Sequence, residues 1–242
     1  MVDPSKYNNS MYFYIPYIFE EFEEEIMNMA GKCMDIGCGP GYLTRYILLS
    51  ALDPKAVVVS MDISENMIGH AKEYSDEERF RFKVLDIGTK HIPEKYFDEY
   101  DHAFSFHVLQ WCPDIRQAFE NIYRLLRSGG TILALMFDWV KPHKELKTLL
   151  KSIGFNVLHC SQRKRSITSE DAHKLPQMLL SFVTQFLGNM PQVLVEQFKD
   201  EFTEEYMRRR FYYRQTYKKG ERILSDIDEI LVVYTQKDNN NV

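Results

Sequence analysis

The stretch Met34-Asp35-Ile36-Gly37-Cys38-Gly39-Pro40-Gly41 decides how the rest of this chain reads. The run Lys32-Cys33-Met34-Asp35-Ile36 has the composition of a short strand and stops at glycines in alternate positions. Leu43, Tyr46 and Ile47 then recur at helical spacing. Glycines between a strand and a helix let the backbone turn tightly and approach a ligand where a Cβ would clash. In an open α/β sheet that turn lies in the crevice outside the carboxyl ends of the strands, where ligands bind. The spacing is GxGxG and not the dinucleotide GxGxxG, because Tyr42 stands where the third glycine would fall. Pro40 removes a backbone N–H that a pyrophosphate could use. Asp35 suits a cationic ligand group better than a phosphate.

Outward from this turn, strands and helices alternate. Upstream, Tyr17, Ile18, Phe22, Ile26 and Met29 have helical spacing over about 17–30. Downstream, Ala56 to Met61 reads as a second strand closed by Asp62, and Ser64 caps a helix through about Tyr74 with Glu65 in its first turn. Phe80 to Leu85 is a third strand ending at Asp86, and His102 to Phe106 a fourth. A helix over Ile115 to Leu126 is expected to stop at Ser128-Gly129-Gly130, followed by a fifth strand, Thr131 to Phe137. Glu145 to Ile153 reads as a helix ended by Gly154, Phe155 to Cys160 as a strand, and Ile230 to Tyr234 as a last strand. Residues 169–210 read as amphipathic helix broken at Pro176, Gly188 and Pro191.

This order predicts an α/β fold with a mainly parallel sheet covered on both faces. The expected organisation is an N-terminal helical segment (1–30) over the site and a ligand-binding core (31–165). A helical cap (166–228) is inserted before the last strand of the core and a polar tail (229–242). The apolar set Leu175, Met178, Leu179, Phe182, Val183, Phe186 and Leu187 needs a cover, either as packing on the sheet edge or as the wall of a lipophilic pocket.

Two further carboxylates join the glycine turn. Asp62 ends the second strand and is well placed for ribose hydroxyls; Asp86 ends the third and could accept from an exocyclic amine. Three glycines alone would also suit a tight connection with no ligand. Asp35, Asp62 and Asp86, each at a strand end, argue for a ligand site.

Composition excludes several classes. The 242 residues carry a net charge of −5, so no global field favours nucleic acid. Arg208-Arg209-Arg210 lies among acidic residues and reads as a solvated helix face. Cys33, Cys38, Cys112 and Cys160 form no CxxC pair and no Cys–His cluster, so ordinary reduced thiols are expected, with no disulfide scaffold and no metal. Apolar runs are too short for a membrane span. Met11-Tyr12-Phe13-Tyr14-Ile15 runs into Glu20 and Glu21 without the marks of a signal peptide, so a cytoplasmic address is expected. A monomer or homodimer is expected.

Asp-Ile-Gly-Cys-Gly-Pro-Gly, then Met61-Asp62-Ile63-Ser64, then Val84-Leu85-Asp86-Ile87 resemble, in order, the motifs of class I S-adenosylmethionine-dependent methyltransferases. The resemblance implies a Rossmann-like sheet of seven strands with the last antiparallel, here Ile230 to Gln236. It implies that Gly37, Cys38, Gly39 and Gly41 cradle the methionine part of the cofactor, with Asp35 near its amino group. Asp62 would meet the ribose and Asp86 with Ile87 the adenine, and Ile63 and Ser105 complete the expected cofactor set.

After the fourth strand, Phe104-Ser105-Phe106-His107-Val108-Leu109-Gln110-Trp111 presents neutral donors, the Trp111 indole, the Gln110 amide and the His107 imidazole. It is not an Asn-Pro-Pro-Tyr motif for amide or base nitrogen, and no Cys pair is set for attack on a pyrimidine. Donors aimed at one point suit a carboxylate, which is already ionised at pH 7 and needs no general base. The longer stretch, from Phe97-Asp98-Glu99-Tyr100-Asp101-His102 through Leu109-Gln110-Trp111 to Gln117-Ala118-Phe119-Glu120-Asn121-Ile122-Tyr123, is similar to the juvenile hormone acid methyltransferase family of arthropods. That resemblance implies an O-methyltransferase acting on a small lipophilic acid of the farnesoic acid type.

Two positions depart from the family pattern. Tyr14 stands where members place a glutamine that helps hold the substrate carboxylate, and its phenol can donate one hydrogen bond. The passage from Phe137 through Pro142 to Glu145 is shorter than in the family. The alternative reading is a non-catalytic or altered-acceptor relative that binds the cofactor or a partner. A nicotinamide oxidoreductase is disfavoured by the glycine spacing.

Overall fold

A computed structural model describes residues 15–75, 78–137, 142–167, 180, 183, 187, 190–211, 215–218, 221–224 and 226–239. The chain divides into two compact units, one comprising 14–163 with 229–242 and the other 1–13 with 164–228. The first holds the glycine turn.

Its sheet is built from β1 (Lys32–Ile36), β2 (Val57–Asp62), β3 (Phe80–Val84), β4 (Tyr100–Phe106), β5 (Leu126–Phe137), β6 (Phe155–Ile167) and β9 (Asp226–Lys237). Their order is β3-β2-β1-β4-β5-β9-β6. β1, β2, β3, β4 and β5 pair in parallel, whereas β9 runs antiparallel to β5, with Leu133 opposite Tyr234. The chain reverses its direction of travel across the sheet at β1 and β4. The carboxyl ends of these neighbours open the crevice that carries the glycine turn.

Alternation along each strand sends its two sets of side chains to opposite faces. Met34, Ile36, Val59, Met61, Ile132, Ala134, Met136, Leu231 and Val233 form one buried cluster with Ala118, Phe119, Ile122 and Leu125 of α5 (Ile115–Leu125) and Leu146, Leu149 and Leu150 of α6 (His143–Ile153). On the other face Phe19 of α1 (Ile15–Glu21) packs its ring 5.6 Å from that of Phe106. Phe22, between α1 and α2 (Glu23–Met27), lies 5.6 Å from Tyr234 and 5.4 Å from His159. The Arg163 guanidinium grips Glu21 with both terminal nitrogens and donates through Nε to Ser161 at 3.0 Å.

Local signals place the helix ends. After the short helix α3 (Leu49–Ala51), Ser64 accepts from the Met67 N–H and starts α4 (Glu65–Ala71), which continues as a tight turn over Lys72–Tyr74. Asp114 does the same for α5 through the Gln117 N–H at 3.1 Å. Gly154, at φ 117°, ends α6 in the left-handed conformation that glycine adopts without strain.

One expectation for the sheet is corrected. Ser128-Gly129-Gly130 is no helix stop: α5 ends at Leu125 and residues 126–137 are all strand. Between the pairs Tyr100–Leu126 and His102–Thr131 the β5 side carries extra residues, which bulge out with Gly129 at φ 76°. The Gln236 side chain donates to the Gly129 carbonyl at 2.9 Å, holding the bulge against β9. The last strand pairs with β5 from Ile230 to Gln236, the antiparallel span that the resemblance implies, reaching beyond the apolar run Ile230 to Tyr234.

The second unit holds α7 (Gln192–Phe211) and a hairpin of β7 (Gln215–Lys218) and β8 (Glu221–Leu224), so the inserted segment is not helical throughout. Arg208 pairs with Glu205 at 2.7 Å along the exposed helix. Of the apolar set 175–187, only Val183 and Leu187 fall within the described residues.

Among the described residues no helix is long and apolar enough to cross a membrane, and no group of three His, Cys, Asp or Glu side chains is arranged to hold a metal ion.

Candidate functional site

The glycine turn leaves β1 with Gly37, Gly39 and Gly41 all at positive φ, 73°, 54° and 84°. Its N–H groups are spent within the protein. Gly37 and Cys38 both donate to the Met61 carbonyl, at 2.6 and 3.1 Å, and Gly41 donates to the Cys38 carbonyl at 3.1 Å. Gly39 donates to Asp62 Oδ2 at 3.0 Å. Pro40 has no N–H to give. A pyrophosphate needs such donors, and the turn has none to offer, which separates it from a dinucleotide site on geometry as well as spacing.

What the crevice offers instead is acceptors. Asp35 is buried beneath the turn and receives the Thr44 hydroxyl on Oδ2. Burial pushes its carboxyl up to about 7; the Thr44 bond opposes that shift and the charge of Asp62 adds to it. Asp62 lies at the end of β2, with Oδ2 on Gly39 and Oδ1 accepting the Ser64 N–H at 2.9 Å. Burial raises its pKa too, and these backbone N–H groups work against the rise. Each oxygen keeps a second lone pair for a ligand hydroxyl. Asp86 is exposed and closes a turn by accepting the Gly88 N–H at 2.8 Å. The three carboxylates thus sit at the carboxyl ends of β1, β2 and β3, suited to an ammonium, paired hydroxyls and an amine.

The other expected cofactor residues are placed unequally. Ile63 is exposed, whereas the Ile87 side chain is buried in the core cluster. Ser105 is buried, and its hydroxyl donates to the Ile36 carbonyl at 3.4 Å, tying β4 to β1 just below the turn. Cys38 is buried, its thiol pushed well above the ordinary range by burial and by the charges of Asp35 and Asp62.

At the neighbouring strand end, β4 stops at Phe106 and His107 turns the chain at φ 60°, a costly conformation for a residue with a Cβ. The His107 N–H donates to the Leu135 carbonyl at 2.8 Å, and its buried ring lies 4.7 Å from that of Phe137. A single tight turn, Leu109–Trp111, follows. Gln110 is 9% exposed, and both its amide atoms are buried with no hydrogen-bond partner among the described residues. Trp111 is half-buried beside it. Burial drives the Cys112 thiol up to about 11, and Asp86 contributes by its charge, so the turn after β4 adjoins the end of β3. Tyr14 and residues 138–141 lie outside the described residues.

Three polar residues in this region are not singled out by the sequence. Thr44 and Ser60 are fully buried next to Asp35. Asn121, fully buried on α5, donates to the carbonyls of Ile87 and Thr89 at 2.8 and 2.7 Å and so ties down the loop after Asp86. Asn121 has a legible signal, an amide on the helix stripe otherwise made of Ala118, Ile122 and Leu125.

Residues 34–132 match a protein-family model described as a methyltransferase domain. The chain is similar to the juvenile hormone acid O-methyltransferase of Drosophila melanogaster, 29% identical over 71% of this chain and 69% of that protein. It is also similar to the juvenile hormone acid O-methyltransferase of Bombyx mori, 24% identical over 85% of each. Among solved structures, a Haemonchus contortus phosphoethanolamine N-methyltransferase in complex with S-adenosylhomocysteine shares the fold, with a TM-score of 0.57 and 17% identity over 93% of this chain and 53% of that one.

Proposed function

The chain is an S-adenosylmethionine-dependent methyltransferase, and from that premise we propose that it methylates the carboxylate of a small lipophilic acid, of the juvenile hormone acid or farnesoic acid type. The observation that carries this reading is Gln110: a buried amide, with neither atom hydrogen-bonded among the described residues, in the turn that follows β4. An unsatisfied buried amide costs about 1–3 kcal/mol, and a bound carboxylate would satisfy its donor.

S-adenosylmethionine supplies the electrophilic methyl group. Asp35 faces the ammonium of the cofactor, Asp62 its ribose hydroxyls and Asp86 its adenine amine, with Gly37, Gly39 and Gly41 keeping the floor of the crevice free of side chains. Gln110 and Trp111 donate to the acid and His107 shapes the turn that carries them; Tyr14 is assigned a donor role on the same side. The acceptor oxygen is ionised at neutral pH, so no residue has to remove a proton. Catalysis reduces to holding that oxygen in line with the methyl group and keeping water out.

The test is transfer of labelled methyl from S-adenosylmethionine to a panel of carboxylic acids that includes farnesoic acid, scored as label released as methanol by alkali. Alkali-labile product supports ester formation, and the best acid describes the pocket. Cofactor binding without transfer to any acid would sink the carboxylate reading and leave a relative with another acceptor or none.

A further inference from the structure

Beneath the glycine turn four buried polar groups lie in sequence. Asp35 on β1 is the registered neighbour of Ser60 on β2, so both side chains stand on one face of the sheet. Thr44 enters from above, at the start of a π-helical turn, Thr44–Leu48, that follows Gly41. The Ser60 hydroxyl donates to Thr44 Oγ1 at 3.4 Å, and Thr44 donates to Asp35 Oδ2. Asp35 is 2% exposed and the two hydroxyl residues are fully buried. The Cys38 thiol is buried beside the same group and donates to the Gly39 carbonyl at 3.5 Å. Asp35 Oδ1 takes no hydrogen bond among the described residues.

A π-helical turn inserts one extra residue into a helix and is frequent at functional sites. Here it brings the Thr44 hydroxyl inward onto a carboxyl that would otherwise have no donor. The other charged group facing Asp35 is Asp62, from the end of β2, and like charge there favours a retained proton.

We propose that Thr44, backed by Ser60, is a positioning residue for the cofactor. Its hydroxyl holds the Asp35 carboxyl with Oδ1 toward the crevice, and binding of the cofactor's ammonium expels to solvent the proton that the buried carboxyl otherwise keeps. Cofactor binding is therefore coupled to release of a proton. Burial and the charge of Asp62 put that carboxyl near neutrality, so the coupling operates at physiological pH. This rests on the cofactor and not on the identity of the acceptor.

Isothermal titration calorimetry with S-adenosylhomocysteine, from about pH 6 to pH 8.5 and in two buffers of different ionisation enthalpy, tests it. Wild-type affinity should fall as pH drops through about 7, and protons should pass to the buffer on binding. The ligand's own amino group titrates near pH 8 or above and governs only the upper limb. Thr44→Val removes the bond that favours the carboxylate, so its midpoint should move up and its affinity at neutral pH weaken about tenfold. Thr44→Ser should restore both. Asp35→Asn should lose the lower limb and the proton release. Should Thr44→Val fail to fold, Ser60→Ala carries the test by a smaller shift in the same direction. A wild-type titration without proton release, or a midpoint unmoved in the Thr44 or Ser60 variant that folds, overturns the proposal. Binding with proton release but no methyl transfer to any acid would overturn the acceptor reading alone.

Discussion

Gly37 lies so close to Val108 that a Cβ added to it would stand 2.1 Å from Val108 Cγ2 and 2.7 Å from Val108 Cβ. The two residues belong to different loops, one leaving β1 and the other leaving β4, so this contact limits how far the two loops can approach each other. Gly37→Ala should cost at least about 2 kcal/mol from the left-handed backbone and the overlap together. Val108→Ala in the same chain removes both γ carbons and should recover part of the loss. Chemical denaturation of the two single variants and the double checks this; additive effects would mean that the loops adjust independently.

Gln110→Leu separates function from stability. It removes a buried amide that neither donates nor accepts among the described residues. The variant protein should melt no lower than wild type, bind S-adenosylhomocysteine equally well, and lose about tenfold or more in methyl transfer to the acid. A large drop in melting temperature would show that the amide is satisfied in the folded protein and has no acceptor role.

Asn121→Ala leaves the carbonyls of Ile87 and Thr89 without their donor and should destabilise by about 1–3 kcal/mol. It should also weaken cofactor affinity, because the loop that follows Asp86 is released. Asn121→Asp should be worse on both counts, since it can set a negative charge against those two carbonyl oxygens. Calorimetric binding and thermal melting of the pair would show it, and equal behaviour of the two variants would contradict the geometry.

The Arg163–Glu21 pair ties α1 to β6, but more than a third of each side chain is exposed. A double-mutant cycle should therefore return less than about 1 kcal/mol. The Arg163 hydrogen bonds hold the Glu21 carboxyl below its ordinary 4.5. That contribution is present above the ordinary value and is lost as pH falls through the depressed one. Glu21→Gln should accordingly cost stability at pH 7 and cost nothing in strong acid. A penalty independent of pH would mean that packing of α1, and not charge, is what the substitution disturbs.

Much of this molecule was legible along the chain because its signals are local. Apolar runs in strand-length pieces, glycines in alternate positions and a carboxylate at each strand end need no distant partner to be read. Ser64 and Asp114 announce helix starts by the same logic, and β9 was visible as an apolar run. Ser128-Gly129-Gly130 carried an equally local signal and it misled: a helix stop and a strand bulge use the same glycine. Pairing with β4 and the Gln236 side chain, both far away in sequence, settle which one forms.

The sequence alone placed a glycine turn after the first strand and a carboxylate at each of three successive strand ends, and the resemblance of these motifs to class I methyltransferases pointed to the ligand. Tertiary structure decided which of those groups are already spent and which remain. The N–H groups of the turn are taken by Met61, Asp62 and Cys38, Asp35 is held by a threonine nine residues away, and Gln110 is buried without a partner among the described residues. These outcomes depend on register and burial, which bring together residues that no spacing rule connects, and desolvation gives each such meeting its energetic weight.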